Sequence, residues 1–336
     1  MDIFFYICLF TYGLLFGSFS SVIIHRLKSN EKGICSGRSH CPKCNTTLKF
    51  YDLIPIFSWL STGGKCRYCK EKIPYIYPIL ELSTGTLFSL VGIFLIDVNL
   101  IFSGNISEII RLIFWLSISF ITILYIFYDI LFLEIHEGIM LSGVIISILG
   151  LISNDLFINI IPHIGNTINN NITVFISIIF TIISIGFLYL IMLKELDIKY
   201  DILIILSIIT GLIAFKYFGI NLSSISIING FTAAFAIFVF FYLQIVLSNG
   251  KALGGGDLRI GIMIGLLSGI SLSFPAMMLT YIVGSIISIM IITYQKFIQK
   301  NKEILNVVPF GPFLGIGFLL TILFQNHILN IIEIYF

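Results

Sequence analysis

The sequence predicts an all-α polytopic membrane protein with about ten transmembrane helices and a small cytoplasmic zinc-binding insertion after the first helix. Of its 336 residues, 58% are hydrophobic and only 11% are charged, and the mean hydropathy is +1.06. A soluble domain is about half apolar and about a quarter charged, so an ordinary soluble enzyme is excluded. Intrinsic disorder is excluded because 15% of the residues are aromatic and the net charge is only +2.

Apolar runs along the chain define the predicted spans, because roughly 20 consecutive apolar residues are needed to cross a bilayer. Ten such runs occur, at 3–25, 76–97, 109–128, 138–153, 172–193, 202–218, 227–247, 258–273, 275–295 and 308–330. The first run is too long for a removable signal peptide and lacks its basic n-region and small-residue cleavage site. We therefore expect it to remain as a span.

The distribution of lysine and arginine predicts the orientation of these spans. Ten of the nineteen Lys and Arg residues lie between positions 26 and 75, and such segments stay in the cytoplasm. Ten alternating spans also place the Asn-rich stretch 153–171, which has no Lys or Arg, outside. We predict a multi-pass protein of the cell inner (cytoplasmic) membrane, surrounded by membrane lipid. Its parts are a first helix (1–25), a cytoplasmic segment (26–75) and a membrane-embedded helical domain (76–336).

The cytoplasmic segment contains two Cys-x-x-Cys pairs. Their members are Cys41, Cys44, Cys66 and Cys69. Four thiolates at this spacing can bind one tetrahedral Zn²⁺, and a segment with little apolar core would obtain its folding free energy from the metal. The alternative is a pair of disulfides or redox dithiols. Disulfides are disfavoured in the cytoplasm, and no thioredoxin-like pattern surrounds either pair.

Two aspartates are notable within the membrane-embedded part. Asp129 ends the third span, and Asp257 follows Gly254, Gly255 and Gly256 where the eighth span begins. The orientation derived from Lys and Arg places both carboxylates on the cytoplasmic face, where a facing pair could hydrolyse a peptide beside a glycine loop that admits an extended chain. The alternatives are an N-cap role for the second aspartate and an interfacial helix-end role for the first.

Several motifs, taken together in this order, resemble those of the bacterial type IV prepilin peptidases, membrane aspartyl proteases of the Gly-x-Gly-Asp type. The motifs are Gly17-Ser18-Phe19, Cys41-Pro42-x-Cys44, Tyr51-Asp52-Leu53, Cys66-Arg67-x-Cys69, Tyr77-Pro78-x-x-Glu81, Gly254-x-Gly256-Asp257 and Pro309-Phe310-Gly311-Pro312-Phe313. Phosphate-binding and dinucleotide-binding glycine motifs do not occur, and we expect no nucleic acid as a partner.

The resemblance implies a function and a set of site residues. It assigns catalysis to Asp129 and Asp257 and metal ligation to the four paired cysteines. The implied reaction removes the short basic leader of type IV prepilin or pseudopilin precursors after a glycine, at the cytoplasmic face of the membrane. Many members also N-methylate the new amino terminus with S-adenosylmethionine, which would then be a second cofactor beside structural zinc.

Two departures from the family pattern shape the expectations. His136-Glu137 stands where the family usually has Pro-Asp or Pro-Asn. The separation between the two aspartates is also longer than usual, which predicts an extra helix pair near 172–218. The alternative function is that of a non-catalytic membrane protein that binds a cytoplasmic partner through its zinc loop.

Overall fold

The computed structural model describes residues 2–29, 37–164, 225–250, 253–298 and 308–335. These residues form helices joined by loops, with isolated β-bridges only at two positions in the cysteine-rich part. In chain order the helices are α1 (Asp2–Ser29), α2 (Phe57–Ser61), α3 (Ile76–Leu95), α4 (Val98–Phe102), α5 (Ile106–Phe132), α6 (Glu137–Leu156), α7 (Ser226–Leu247), α8 (Gly255–Ile298), α9 (Gly311–Leu323) and α10 (Gln325–Tyr335).

The predicted all-α membrane architecture is confirmed, whereas the count of ten spans is not. Among the described residues, α1, α3, α5, α6, α7 and α8 are long and apolar enough to cross a membrane. A seventh candidate is the α9–α10 pair, which is bent by 75° and replaces the predicted straight span 308–330. The predicted spans 172–193 and 202–218, and with them the proposed extra helix pair, lie outside the described residues.

The chain divides into two compact units, and in the first, residues 1–131, α1 packs closely on α3. A Cβ atom added to Gly17 would lie 2.6 Å from the Cα of Glu81, and one added to Gly13 would lie 2.7 Å from the Cα of Gly85. These two α1 glycines form the Gly-x-x-x-Gly pattern by which membrane helices bring their backbones together. Small residues therefore hold the first helix against the helix that follows the cysteines.

In the second unit, residues 132–336, the boundary between two predicted spans differs from the prediction. The runs 258–273 and 275–295 belong to α8, whose helical geometry is interrupted at Gly269 (φ 62°, ψ −176°) and not at residue 274. Asn229 fixes this interruption, because its side chain accepts a hydrogen bond from the Ile270 backbone N–H (2.7 Å) and donates one to the Ile164 carbonyl (2.6 Å). Only glycine readily adopts this backbone conformation, and a Cβ there would lie 2.9 Å from the Asn229 Oδ1.

A buried carboxylate joins two helices of the same unit. Asp155, near the end of α6, accepts hydrogen bonds from the backbone N–H groups of Ser226 (2.8 Å) and Ile227 (3.0 Å). The first N–H groups of a helix have no partner within it, so this carboxylate satisfies the start of α7. Asp155 belongs to the stretch 153–171, which is predicted to lie on the outer side of the membrane, and its side chain is fully buried.

Candidate metal site and catalytic residues

The two Cys-x-x-Cys pairs form equivalent turns in the segment that precedes α3. We call residues 37–75 the cysteine segment. In the first turn the Cys41 N–H donates to the Thr46 carbonyl (3.0 Å), and in the second the Cys66 N–H donates to the Glu71 carbonyl (2.8 Å). The residue after the second cysteine of each pair, Asn45 or Lys70, has a positive φ of 54° or 63°. The same local fold is thus built twice, and each copy presents two thiols.

The four thiols converge on one point. The Sγ atoms of Cys41, Cys44, Cys66 and Cys69 all lie within 4.8 Å of one another. A tetrahedral zinc ion with Zn–S distances of about 2.3 Å separates its sulfur ligands by about 3.8 Å. The distance between the Cys41 and Cys69 sulfurs, 3.9 Å, matches this value. The cluster could therefore hold one four-coordinate metal ion, as the spacing of the cysteines predicted.

The pKa values of the thiols are consistent with a site for a metal cation. Hydrogen bonds with Thr46 lower the pKa of the Cys44 thiol to about 6. The Glu71 backbone N–H lowers the pKa of Cys69, but desolvation and the neighbouring thiols outweigh it and raise that pKa to about 11. One thiolate therefore disfavours ionisation of the next. A divalent ion bound among them would remove this conflict, because it stabilises all four charges.

Asp52 ties the stretch between the cysteine pairs to the second pair. Its carboxylate accepts hydrogen bonds from the Lys49 backbone N–H (3.1 Å), the Arg67 Nε (2.9 Å) and the Tyr68 hydroxyl (2.9 Å). Partial burial raises the pKa of Asp52, but these three donors together lower it below its usual value. In the sequence, Asp52 is notable only as part of the Tyr51-Asp52-Leu53 motif. The fold shows that Asp52 acts as a clamp, which holds its own stretch against the second cysteine turn. Two of its donors, Arg67 and Tyr68, lie about fifteen residues away along the chain.

Glu81 connects the cysteine segment to the membrane helix α3. Its carboxylate is only 9% exposed and accepts a hydrogen bond from the Ile56 backbone N–H at 2.7 Å. Glu81 also lines a cavity of about 520 Å³ between the end of α1, the cysteine segment and the start of α3. His25, Trp59 and Tyr77 are among the other residues that line it. A cavity of this size is within the range of small-molecule sites, which is about 300–1,000 Å³.

Of the three glycines predicted to form a loop, Gly254 alone precedes α8, whereas Gly255 and Gly256 are its first two residues and Asp257 is its third. The Gly254 N–H donates to the Asp257 carboxylate (3.1 Å), which is the half of a capping box that an acidic residue supplies. Asp257 is itself largely buried, with 9% exposed. Of the three glycines, Gly256 is required by packing, since a Cβ there would lie 2.7 Å from the Ile135 Cδ1. The predicted N-cap alternative is thus partly realised, because the carboxylate caps the helix from within its first turn.

Asp129 lies inside the last turn of α5, which continues to Phe132, and is 5% exposed. It belongs to the first unit, whereas Asp257 belongs to the second. His136, seven residues further along the chain, is the N-cap of α6 and accepts a hydrogen bond from the Gly138 N–H through its Nδ1 at 3.1 Å. Glu137, which is exposed, accepts a hydrogen bond from Arg259 at 2.9 Å. The His136-Glu137 pair thus forms the N-terminus of α6.

These features define a multi-pass helical membrane protein with a four-cysteine segment anchored on its first helix pair. Residues 11–95 match the family described as Bacterial Peptidase A24 N-terminal domain. That match contains α1 from residue 11 onward, the cysteine segment and α3, and it confirms the resemblance to prepilin peptidases indicated by the motifs.

Individual relatives match about a quarter of the chain. The prepilin leader peptidase/N-methyltransferase of Myxococcus xanthus is 43% identical over 84 residues, which are 25% of this chain and 25% of that protein. The proteins of the same name from Klebsiella pneumoniae and Bacillus subtilis are 40% identical over 89 residues and 42% identical over 85 residues. These matches cover 25% of this chain and 39% and 34% of the respective relatives. The chain thus spans between a quarter and two fifths of the length of these three relatives. No solved structure gives a significant match to it.

Proposed function

We propose that this protein is a prepilin peptidase that also N-methylates its product. The observation that carries the proposal is the four-cysteine cluster and its anchorage on α1 and α3, which lie in the residues matched by the Bacterial Peptidase A24 N-terminal domain. Relatives that are about 40% identical over 84 and 89 residues are prepilin leader peptidase/N-methyltransferases. The substrates would be type IV prepilin or pseudopilin precursors, cleaved after the leader glycine. The protein would reside in the cell inner (cytoplasmic) membrane, with the cysteine segment on the cytoplasmic side.

For the peptidase reaction we assign catalysis to Asp129 and Asp257. With one carboxyl ionised and the other protonated, the first takes a proton from water while the second donates a proton to the scissile carbonyl oxygen. Breakdown of the tetrahedral intermediate then returns a proton to the leaving amine. Burial of both side chains supports this assignment, because few acidic residues are buried in membrane helices without a function. Gly254, Gly255 and Gly256 would form the active-site loop that admits the extended precursor.

The cysteine cluster would hold a structural Zn²⁺. Its sulfur distances fit tetrahedral coordination, and its thiol donors are those that zinc prefers. The metal would supply folding free energy to the cysteine segment and would hold the two equivalent turns together.

For methylation, the cavity beside the cluster is the proposed binding site of S-adenosylmethionine, which supplies the methyl group. Its volume of about 520 Å³ suits a nucleoside-sized ligand. Aromatic and acidic side chains line it, among them Trp59, Tyr77 and Glu81. These groups can stack on an adenine ring and accept hydrogen bonds from ribose hydroxyls and from an amino group.

The test is co-expression of the chain with a pilin-like precursor, followed by measurement of the precursor's mass. We expect a product shortened after the leader glycine, and no shortening with Asp129→Asn or with Asp257→Asn. Asp97→Asn, a change at an exposed helix cap, is the matched control and should cleave normally. A further mass increase of one methyl group would report methylation.

Failure to shorten any of several precursors would favour a non-catalytic protein that binds a cytoplasmic partner through the zinc loop. Loss in the Asp257 variant alone would remove Asp129 from the catalytic pair.

A further inference from the structure

The stretch of residues 50–60, between the two cysteine pairs, leaves large apolar side chains exposed. These are Phe50, Leu53, Ile54, Phe57 and Leu60. In residues 37–49 and 61–74, the only comparable exposed side chain is Tyr68, whose hydroxyl is bonded to Asp52. No charged residue occurs from 53 to 64. An apolar patch of this kind marks a surface that is covered by a partner.

The position of the patch along α3 indicates which partner covers it. The Ile56 N–H is bonded to the Glu81 carboxylate, and Glu81 lies five residues, or about 7.5 Å, from the first residue of α3. The turn at Ile56 therefore lies level with the first two turns of α3 and not beyond the N-terminus of that helix. Since α3 is a membrane-span candidate, this places the turn beside an apolar helix. Exposed apolar side chains also occur on α3 at this level, at Ile79 and Leu82. The patch therefore lies at a depth where α3, a membrane-span candidate, also exposes apolar side chains.

The local structure holds the patch at this depth. Ile56 has φ 62° and ψ −51°, and the Phe57 N–H donates to the Pro55 carbonyl at 2.6 Å, which is a classic γ-turn. This conformation is costly for a β-branched residue and persists only where its surroundings fix it. The bond to Glu81 is one such constraint. The Trp59 ring, whose N–H donates to the Ile73 carbonyl, lies 5.1 Å from the ring of Tyr75 at the N-cap of α3.

The flanking residues have the chemistry of a membrane interface. Trp and Tyr side chains concentrate at the boundary between headgroups and acyl chains. Lys49 and Lys65 are exposed on either side of residues 50–64, in which the one charged side chain, Asp52, is largely buried and paired with Arg67. Lysines at such positions attract anionic headgroups. We propose that residues 50–60 dip into the boundary between headgroups and acyl chains and bind a bilayer that contains anionic lipid, which seats the cysteine segment on the membrane. This inference is independent of the peptidase activity.

The test places a photoreactive side chain on the patch. The full chain with Phe57→p-benzoylphenylalanine is reconstituted in vesicles of phosphatidylcholine and phosphatidylglycerol and irradiated, and lipid adducts are counted by mass spectrometry. The native side chain is 72% exposed, so the replacement disturbs no buried contact. The matched control carries the same group at Thr47, an exposed polar position in the first cysteine turn. We expect at least about fivefold more lipid adduct at position 57 than at position 47, with phosphatidylglycerol over-represented relative to its share of the vesicles.

Two results would overturn the proposal. One is a yield of lipid adduct at position 57 no higher than that at position 47. The other is an adduct at position 57 with the apolar segment of a co-reconstituted precursor in place of lipid, which would assign the patch to substrate binding. Retained metal content in both labelled proteins confirms that the cysteine segment is folded in the comparison.

Discussion

The cysteine segment has almost no apolar core, so one metal ligand should control its folding. Its buried residues within 37–75 are Cys41, Pro55, Gly64 and Cys66, and none is a large aliphatic or aromatic side chain. Structural zinc sites contribute about 10–16 kcal/mol, so one of four thiolates accounts for about 2.5–4 kcal/mol if the ligands share equally. Cys66→Ser should therefore weaken zinc binding roughly a hundredfold to a thousandfold.

Two measurements check this prediction. After dialysis against a chelator, the unmodified protein should retain about one zinc per chain, and the Cys66→Ser protein should retain at least tenfold less. Limited trypsin digestion should then cut the variant much faster at the Lys and Arg residues of the segment. The matched control is Cys8→Ser, because Cys8 is exposed on α1 and is not part of the cluster. Equal zinc retention and equal cleavage rates in the two variants would refute the reasoning.

Three further substitutions test the packing and the clamp. Gly17→Leu should separate α1 from α3 and lower the thermal midpoint in detergent by several degrees, because even a single added carbon would lie 2.6 Å from the Cα of Glu81. Asn229→Leu removes one buried and one partly buried hydrogen bond and should cost about 1–3 kcal/mol in denaturant titrations. Asp52→Ala removes the acceptor of Arg67 and should raise the rate of tryptic cleavage after that residue several-fold at neutral pH, with zinc retained.

Each of these substitutions has a matched control at an exposed position. They are Thr11→Leu on α1, Asn330→Leu on α10 and Glu71→Ala in the second cysteine turn. If a control substitution changes the measured stability or cleavage rate as much as the substitution it is matched to, the contact assigned to the latter is contradicted.

The four-cysteine cluster was largely predictable from sequence because its members are close to one another along the chain. A Cys-x-x-Cys turn brings two thiols together within four residues, so only the meeting of the two turns needed the fold. The residues that secure this meeting were not predictable in the same way. Asp52 and Glu81 reach partners 15 to 25 residues away, and no periodic pattern reports such contacts.

The spans show the same division. Apolar runs predicted α1, α3, α5, α6 and α7 to within four residues at each end, because the bilayer sets their length. The break in α8 was placed five residues too late. Its position depends on Asn229, a polar residue in another helix, and not on the nearby Pro275, which lies inside the helix.

The sequence by itself determined that the chain is a helical membrane protein and which four cysteines form a cluster. These properties follow from composition and short-range spacing, which the bilayer and local turn geometry convert directly into structure. Only the tertiary structure decided that Gly17 brings α1 against Glu81. It also decided that the Glu81 carboxylate binds the Ile56 N–H, which holds the γ-turn and places the apolar residues 50–60 level with the first turns of α3. Contacts between distant residues depend on how the helices pack, and helix packing is a property of the folded chain as a whole.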